Sequence, residues 1–98
     1  MTLYIGTNYV RKMLNDAERA GFWFIVDSGG DEPDYIGFHP ASAEEAIIAV
    51  DEAQVTLKTA DGQRMGWCLI VNGLAEDERI ADAGTDDWID DWCERNIQ

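Results

Sequence analysis

The side chains in this chain whose types and spacing bear on chemistry are carboxylates. In Thr85-Asp86-Asp87-Trp88-Ile89-Asp90-Asp91-Trp92-Cys93-Glu94, acids and apolar residues alternate in pairs, close to the period of a helical turn. At roughly 100° per residue, Asp86, Asp87, Asp90, Asp91 and Glu94 fill one arc of about 140°. Trp88, Ile89, Trp92 and Cys93 fill the opposite arc and must be buried. Asp86/Asp90, Asp87/Asp91 and Asp90/Glu94 are like-charge neighbours one turn apart, each costing about 0.2–0.5 kcal/mol. Thr85 is the expected N-cap, and the first aspartates gain from the positive end of the helix dipole. The later ones do not. An unrelieved carboxylate face of this kind is suited to attracting positive charge.

The residue types needed for other chemistries are sparse. His39 is the only histidine, and no Ser-His-Asp or Cys-His set can be assembled from spacing. It stands before Pro40 at a predicted strand end, where a structural role is expected. Zinc needs about four N or S ligands, and one His with the distant Cys68 and Cys93 does not supply them. Neither a Walker nor a dinucleotide fingerprint is present. The loop Asp27-Ser28-Gly29-Gly30-Asp31-Glu32-Pro33-Asp34 offers several oxygens but lacks the alternating ligands and terminal glutamate of an EF-hand. Asp82-Ala83-Gly84-Thr85-Asp86 fails in the same way. No catalytic residue, metal site or cofactor is therefore expected, and the chain reads as a non-enzyme.

The totals point the same way. The sequence has 98 residues, 46% of them hydrophobic, which suits one folded domain spanning 1–98. Its formal charge is −13, from 20 acids against seven Lys and Arg. Phosphates would be repelled, so neither nucleic acid nor an anionic membrane is expected as a direct partner. The charge is also lopsided: residues 1–26 hold three bases and two acids, while 27–98 hold four and 18. No apolar run is long enough to span a bilayer and no signal peptide is evident. A cytoplasmic chain with reduced thiols is the expectation.

Several elements must position the acidic helix. Met1 to Ile5 reads as a terminal strand or arm. A helix from about residue 8 to Ala20, capped by Thr7 or Asn8 and stopped at Gly21, buries Tyr9, Val10, Met13, Leu14 and Ala17. Lys12 can reach Asp16. Phe22–Val26 and Tyr35–His39 read as partner strands around the 28–34 loop. Ser42-Ala43-Glu44-Glu45 matches a capping box, predicting a second helix to about Glu52 or Ala53. Its outer face would carry Glu44, Glu45, Asp51 and Glu52, with Ile48 set among them as an apolar contact. Gln54–Thr59 and Arg64–Val71 flank Asp61-Gly62, a strong hairpin signal. Glu76, Asp77, Glu78 and Asp82 then add an acidic, irregular stretch, with Arg79-Ile80-Ala81 either a short edge strand or a helical turn. The expected fold is α+β: a four-stranded, mainly antiparallel sheet packed with three helices, in the order α-β-β-α-β-β-α.

In small size, heavy acidity, lack of catalytic residues and the Asp86–Glu94 helix, the chain resembles the DNA-mimic inhibitors of mobile elements, the phage and plasmid anti-CRISPR and anti-restriction proteins. Duplex DNA carries one charge per roughly 1.7 Å of axis. Carboxylates on successive turns lie about 5–6 Å apart, so adjacent acidic columns approximate a line of phosphates. The resemblance implies docking on the basic nucleic-acid-binding surface of a CRISPR effector or restriction enzyme. An immunity protein plugging the basic cleft of a bacterial toxin nuclease solves the same electrostatic problem and is the alternative. Glu44, Glu45, Ile48, Asp51 and Glu52 form a second candidate patch, and Glu76, Asp77, Glu78 and Asp82 a third.

Overall fold

A computed structural model describes residues 8–85 and 87–97; the expected arm at Met1–Ile5, and Asp86, lie outside them. Helix α1 (Tyr9–Arg19) begins where the Asn8 side chain accepts the Arg11 N–H at 2.9 Å, so one of the unpaired first-turn donors is met. Gly21, at φ +93, takes the left-handed turn that ends it. Strands β1 (Trp23–Asp27) and β2 (Tyr35–Gly37) follow, then α2 (Pro40–Ile48), β3 (Glu52–Lys58), β4 (Arg64–Val71), a 3-10 turn (Glu76–Glu78), β5 (Ile80–Ala83) and α3 (Trp88–Asn96). The Cα radius of gyration, 12.7 Å, matches the ~13 Å of a single domain of this length.

The α+β class and three helices agree with the sequence reading; the strand count does not. Among the described residues the sheet has five strands in the order β2-β1-β3-β4-β5, every pairing antiparallel. The extra strand, β5, pairs Cys68 with Ala83 and Leu69 with Asp82, and so covers the edge that the apolar β4 would otherwise leave open. The Asp61-Gly62 hairpin joins β3 to β4, with Gly62 at φ +90.

Helix α2 departs from the capping-box expectation at both ends. Pro40 occupies its first turn and His39 the N-cap, because a ring-fixed φ suits a position that needs no N–H donor. Ser42 therefore lies inside the helix. The far end stops at Ile48 because the Asn72 amide donates to the Ile47 and Val50 carbonyls at 2.7 and 2.6 Å. Glu52 and Ala53 join β3 instead, where Ala53, Val55 and Leu57 all point into the core.

All three helices pack on one face of the sheet. Val10, Met13, Leu14 and Ala17 of α1, Ala43 and Ile47 of α2, and Ile89 and Trp92 of α3 share one core with Phe24, Val26, Val55, Leu57, Cys68 and Ile70. Gly66 lets the start of α3 sit directly on β4: a Cβ there would stand 3.1 Å from Ile89 Cγ1 and 3.2 Å from Ile89 N. The first-turn end of α3 is further fixed by Trp88, whose ring meets Phe22 edge-on at 5.5 Å.

Candidate protein-binding surface

The amphipathic reading of α3 survives in three dimensions, with one change at its start. Asp87, not Thr85, is the N-cap, its carboxylate accepting the Asp90 N–H at 2.9 Å. Ile89 and Trp92 are buried, while Trp88 and Cys93 are half-buried against the core. Asp87, Asp90, Asp91 and Glu94 line one shallow hollow on the outer side. Asp91 shares its charge with Arg95 at 3.1 Å, an exposed pair one turn apart that contributes well under 1 kcal/mol.

Asp16 anchors α3 to the rest of the helix layer. Its carboxylate accepts the Trp92 indole N–H at 2.8 Å and also meets Lys12 at 3.1 Å and Arg19 at 3.3 Å. The indole hydrogen bond and the two cations hold the Asp16 pKa below the ordinary aspartate range against the opposing effect of burial. The bases of α1 are thus turned onto the chain's own acids. Arg11 likewise binds Glu44 at 2.9 Å, with Asn8 on the other carboxylate oxygen at 3.0 Å. The Arg11 pKa is raised, first by that hydrogen bond and then by the Glu44 charge.

The second predicted patch is divided by this geometry. Glu44 is drawn inward, its side chain 13% exposed. Glu45 and Ile48 remain exposed on α2, Ile48 at 59%. Asp51 and Glu52 leave the helix altogether and border a hollow with Ser28, Ala49 and Val50. In the third patch Glu76 is held by Arg79, one guanidinium nitrogen spanning both carboxylate oxygens at 2.9 and 3.0 Å. Arg79 is 8% exposed and also donates to Asn72 Oδ1 at 2.9 Å. A chain of hydrogen bonds thus runs from Glu76 through Arg79 and Asn72 to the carbonyls of Ile47, in the last turn of α2, and of Val50 just beyond it. Asp77 and Glu78 stay exposed.

Strand direction brings Asp51 and Glu52 of the second patch to the same end of the sheet as the third patch. The end of β1, the starts of β2, β3 and β5, and the end of β4 lie together, and Asn72 N–H donates to the Asp51 carbonyl at 3.0 Å. The β1–β2 loop joins them there, adding Asp27, Asp31, Glu32 and Asp34, whose sequence pattern suggests only weak cation ligands. The alternation of antiparallel strands was the signal that could have placed them. Asp34 accepts the Ser28 N–H and Asp27 the Gly29 N–H, both at 2.7 Å, so these two carboxylates brace their own loop. The segments 27–34, 49–52 and 72–79 contain nine acids and a single base, the buried Arg79. Among the described residues, no group of three His, Cys, Asp or Glu side chains is arranged to hold a metal ion.

No helix among the described residues is long and apolar enough to cross a membrane. Cys68 and Cys93 are free thiols. Burial, followed by the charges of Cys93 and Asp87, pushes the Cys68 thiol far up; burial and then Asp90 and Asp87 raise Cys93. Neither is poised as a nucleophile. No known protein family, curated protein or solved structure matches this chain.

Proposed function

We propose that this chain is a non-enzymatic acidic inhibitor that docks on the basic nucleic-acid-binding surface of a partner protein and blocks it, as part of phage or plasmid anti-defence. The observation that carries the reading is where the positive charge goes. Five of the seven bases, Arg11, Lys12, Arg19, Arg79 and Arg95, are engaged by Asp16, Glu44, Glu76 and Asp91. The protein's cations are largely turned onto its own acids, and the net charge of −13 is left for the surroundings. Two surfaces present it: the α3 hollow and the acid-rich end of the sheet.

A lysine- and arginine-lined channel that grips nucleic acid would be drawn to such a surface, fastest at low salt. Occupying the channel would exclude the phosphate backbone by steric and electrostatic competition. A CRISPR effector or a restriction enzyme has the required chemistry. The test is capture from nuclease-treated host lysate by the wild-type chain and by a variant carrying Asp91→Lys and Glu94→Lys. Both sites are exposed, so the fold should hold. A captured nucleic-acid enzyme that the variant loses supports the reading, and equal capture by both proteins would remove α3 from the contact. Capture of a toxin nuclease in place of a defence enzyme would move the chain to the immunity proteins.

A further inference from the structure

The two free thiols belong to the two elements that meet where α3 packs on β4. Gly66, Cys68 and Ile70 are the buried residues of β4, turned toward the helices. Ile89 sits directly over Gly66. Trp88 meets Phe22, just past the end of α1, and Trp92, one turn on, reaches back to Asp16 within α1. Helix α3 therefore runs opposite to α1. At Gly21 the chain turns back, so β1 also runs opposite to α1, and β1 and β4 both pair antiparallel with β3. Helix α3 and strand β4 thus run the same way. The turn from Ile89 to Cys93 advances about 6 Å, and the step from Gly66 to Cys68 about 6.7 Å. The matched advance puts Cys93, half-buried against the core, above the fully buried Cys68. From this register we infer that Cys68 and Cys93 form a dithiol site that a small-molecule disulfide closes into an intramolecular bond between α3 and β4.

After burial, the charge of Cys93 is the next cause that raises the Cys68 pKa, and Asp87 acts on both thiols, as groups in one neighbourhood require. Closure takes two exchanges. Cys93, as the thiolate, attacks one sulfur of oxidised glutathione and releases one glutathione thiolate. Cys68 then gives up its proton and attacks Cys93 Sγ, releasing the second. The protein thiols lose two electrons and two protons, and the small disulfide takes them up as two thiols. Burial raises both protein thiols, so the exchanges are slow, on the order of minutes to hours. Cys68 needs no access to solvent, because its electrophile is carried to it on α3. The bond closes a loop of about 25 residues and so restricts the unfolded chain. The hollow lined by Asp87, Asp90, Asp91 and Glu94 stays on the outer side of α3, so closure fastens the helix without altering its charge.

The test incubates the folded full chain overnight with oxidised glutathione, quenches it in acid, alkylates it in denaturant, and reads it by intact mass and peptide mapping. The expected product is a monomer lighter by the two thiol hydrogens, unalkylated, with the Cys68 and Cys93 peptides joined. Its melting temperature should rise by roughly 10 °C or more, and dithiothreitol should reverse both changes. Cys68→Ala should stop at a glutathione adduct on Cys93, and Cys93→Ala should stay unmodified; if Cys68→Ala fails to fold, the wild-type result decides alone. A wild-type chain that ends as a Cys93–glutathione adduct, as a dimer bridged through Cys93, or with both thiols free would overturn the inference. So would a bond that forms only in denaturant, where α3 has left β4. A bond that lowers the melting temperature would also overturn it, since the two residues would then have been drawn together by distortion.

Discussion

Replacing Asp16 with alanine should loosen α3 from the helix layer. The carboxylate accepts the indole N–H of Trp92, 76 positions away in sequence, at 2.8 Å. Trp92 is 1% exposed, so its donor would be left buried and unmet, at a cost of about 1–3 kcal/mol. The Lys12 and Arg19 partners are largely solvated and add only a few tenths of a kcal/mol. The total is about 2 kcal/mol, which in a domain of this size lowers the melting temperature by roughly 8–16 °C. Asp16→Asn keeps an acceptor and should cost about half as much. Denaturant unfolding of Asp16→Ala, Trp92→Phe and the double variant would isolate the pair, with a coupling near 1–2 kcal/mol. Full additivity, or a loss below about 0.5 kcal/mol for Asp16→Ala, would refute the anchoring role. The pH dependence has a definite sign. Because the folded-state pKa is depressed, this contribution is complete above the ordinary aspartate value near pH 4 and is lost as pH falls through the folded value. Wild type and Asp16→Asn should therefore converge in stability as the medium becomes acid.

Gly66→Ala should cost about 1–3 kcal/mol by forcing a methyl against Ile89, read as a lower denaturation midpoint; an unchanged midpoint would mean that α3 can slide on β4. Cys68 should resist alkylation in the native protein and react only on unfolding, and Cys93 should react more slowly than a free exposed thiol. Rapid native labelling of Cys68 would contradict its burial. Asp91→Lys with Glu94→Lys should leave the melting temperature within a few degrees, since the Asp91–Arg95 pair is exposed. A large drop would make these acids structural and not a free surface.

Much of the fold was legible because local signals agreed with one another. Asn8, the Val10–Ala17 stripe and Gly21 defined α1, and Asp61-Gly62 between β-rich runs defined the central hairpin. The Trp88–Cys93 pattern gave α3 its buried side. What failed was decided by distant partners. Helix α2 ends where Asn72, more than 20 positions away, caps its carbonyls. Strand β5 is only Ile80–Ala83, with Asp82 breaking its apolar character, and exists because β4 needs a neighbour. The candidate surface was legible in the same measure. Asp90, Asp91 and Glu94 share one hollow with Asp87, which is spent on capping the helix, and Asp86 lies outside the described residues. Glu44 and Glu76 were read as surface charge, yet Arg11 and Arg79 occupy them. The acids of the β1–β2 loop were overlooked as a surface because their place beside Asp51 and Asp77 follows from sheet order alone.

On the proposed function, this chain competes with nucleic acid for one basic surface. The direct measurement is displacement of a labelled DNA duplex from the captured partner by the purified chain, repeated across a salt series. Mutually exclusive binding, with an association rate that falls steeply as salt rises, is the expected result. A ternary complex in which duplex and chain are held together, with an affinity indifferent to salt, would contradict it.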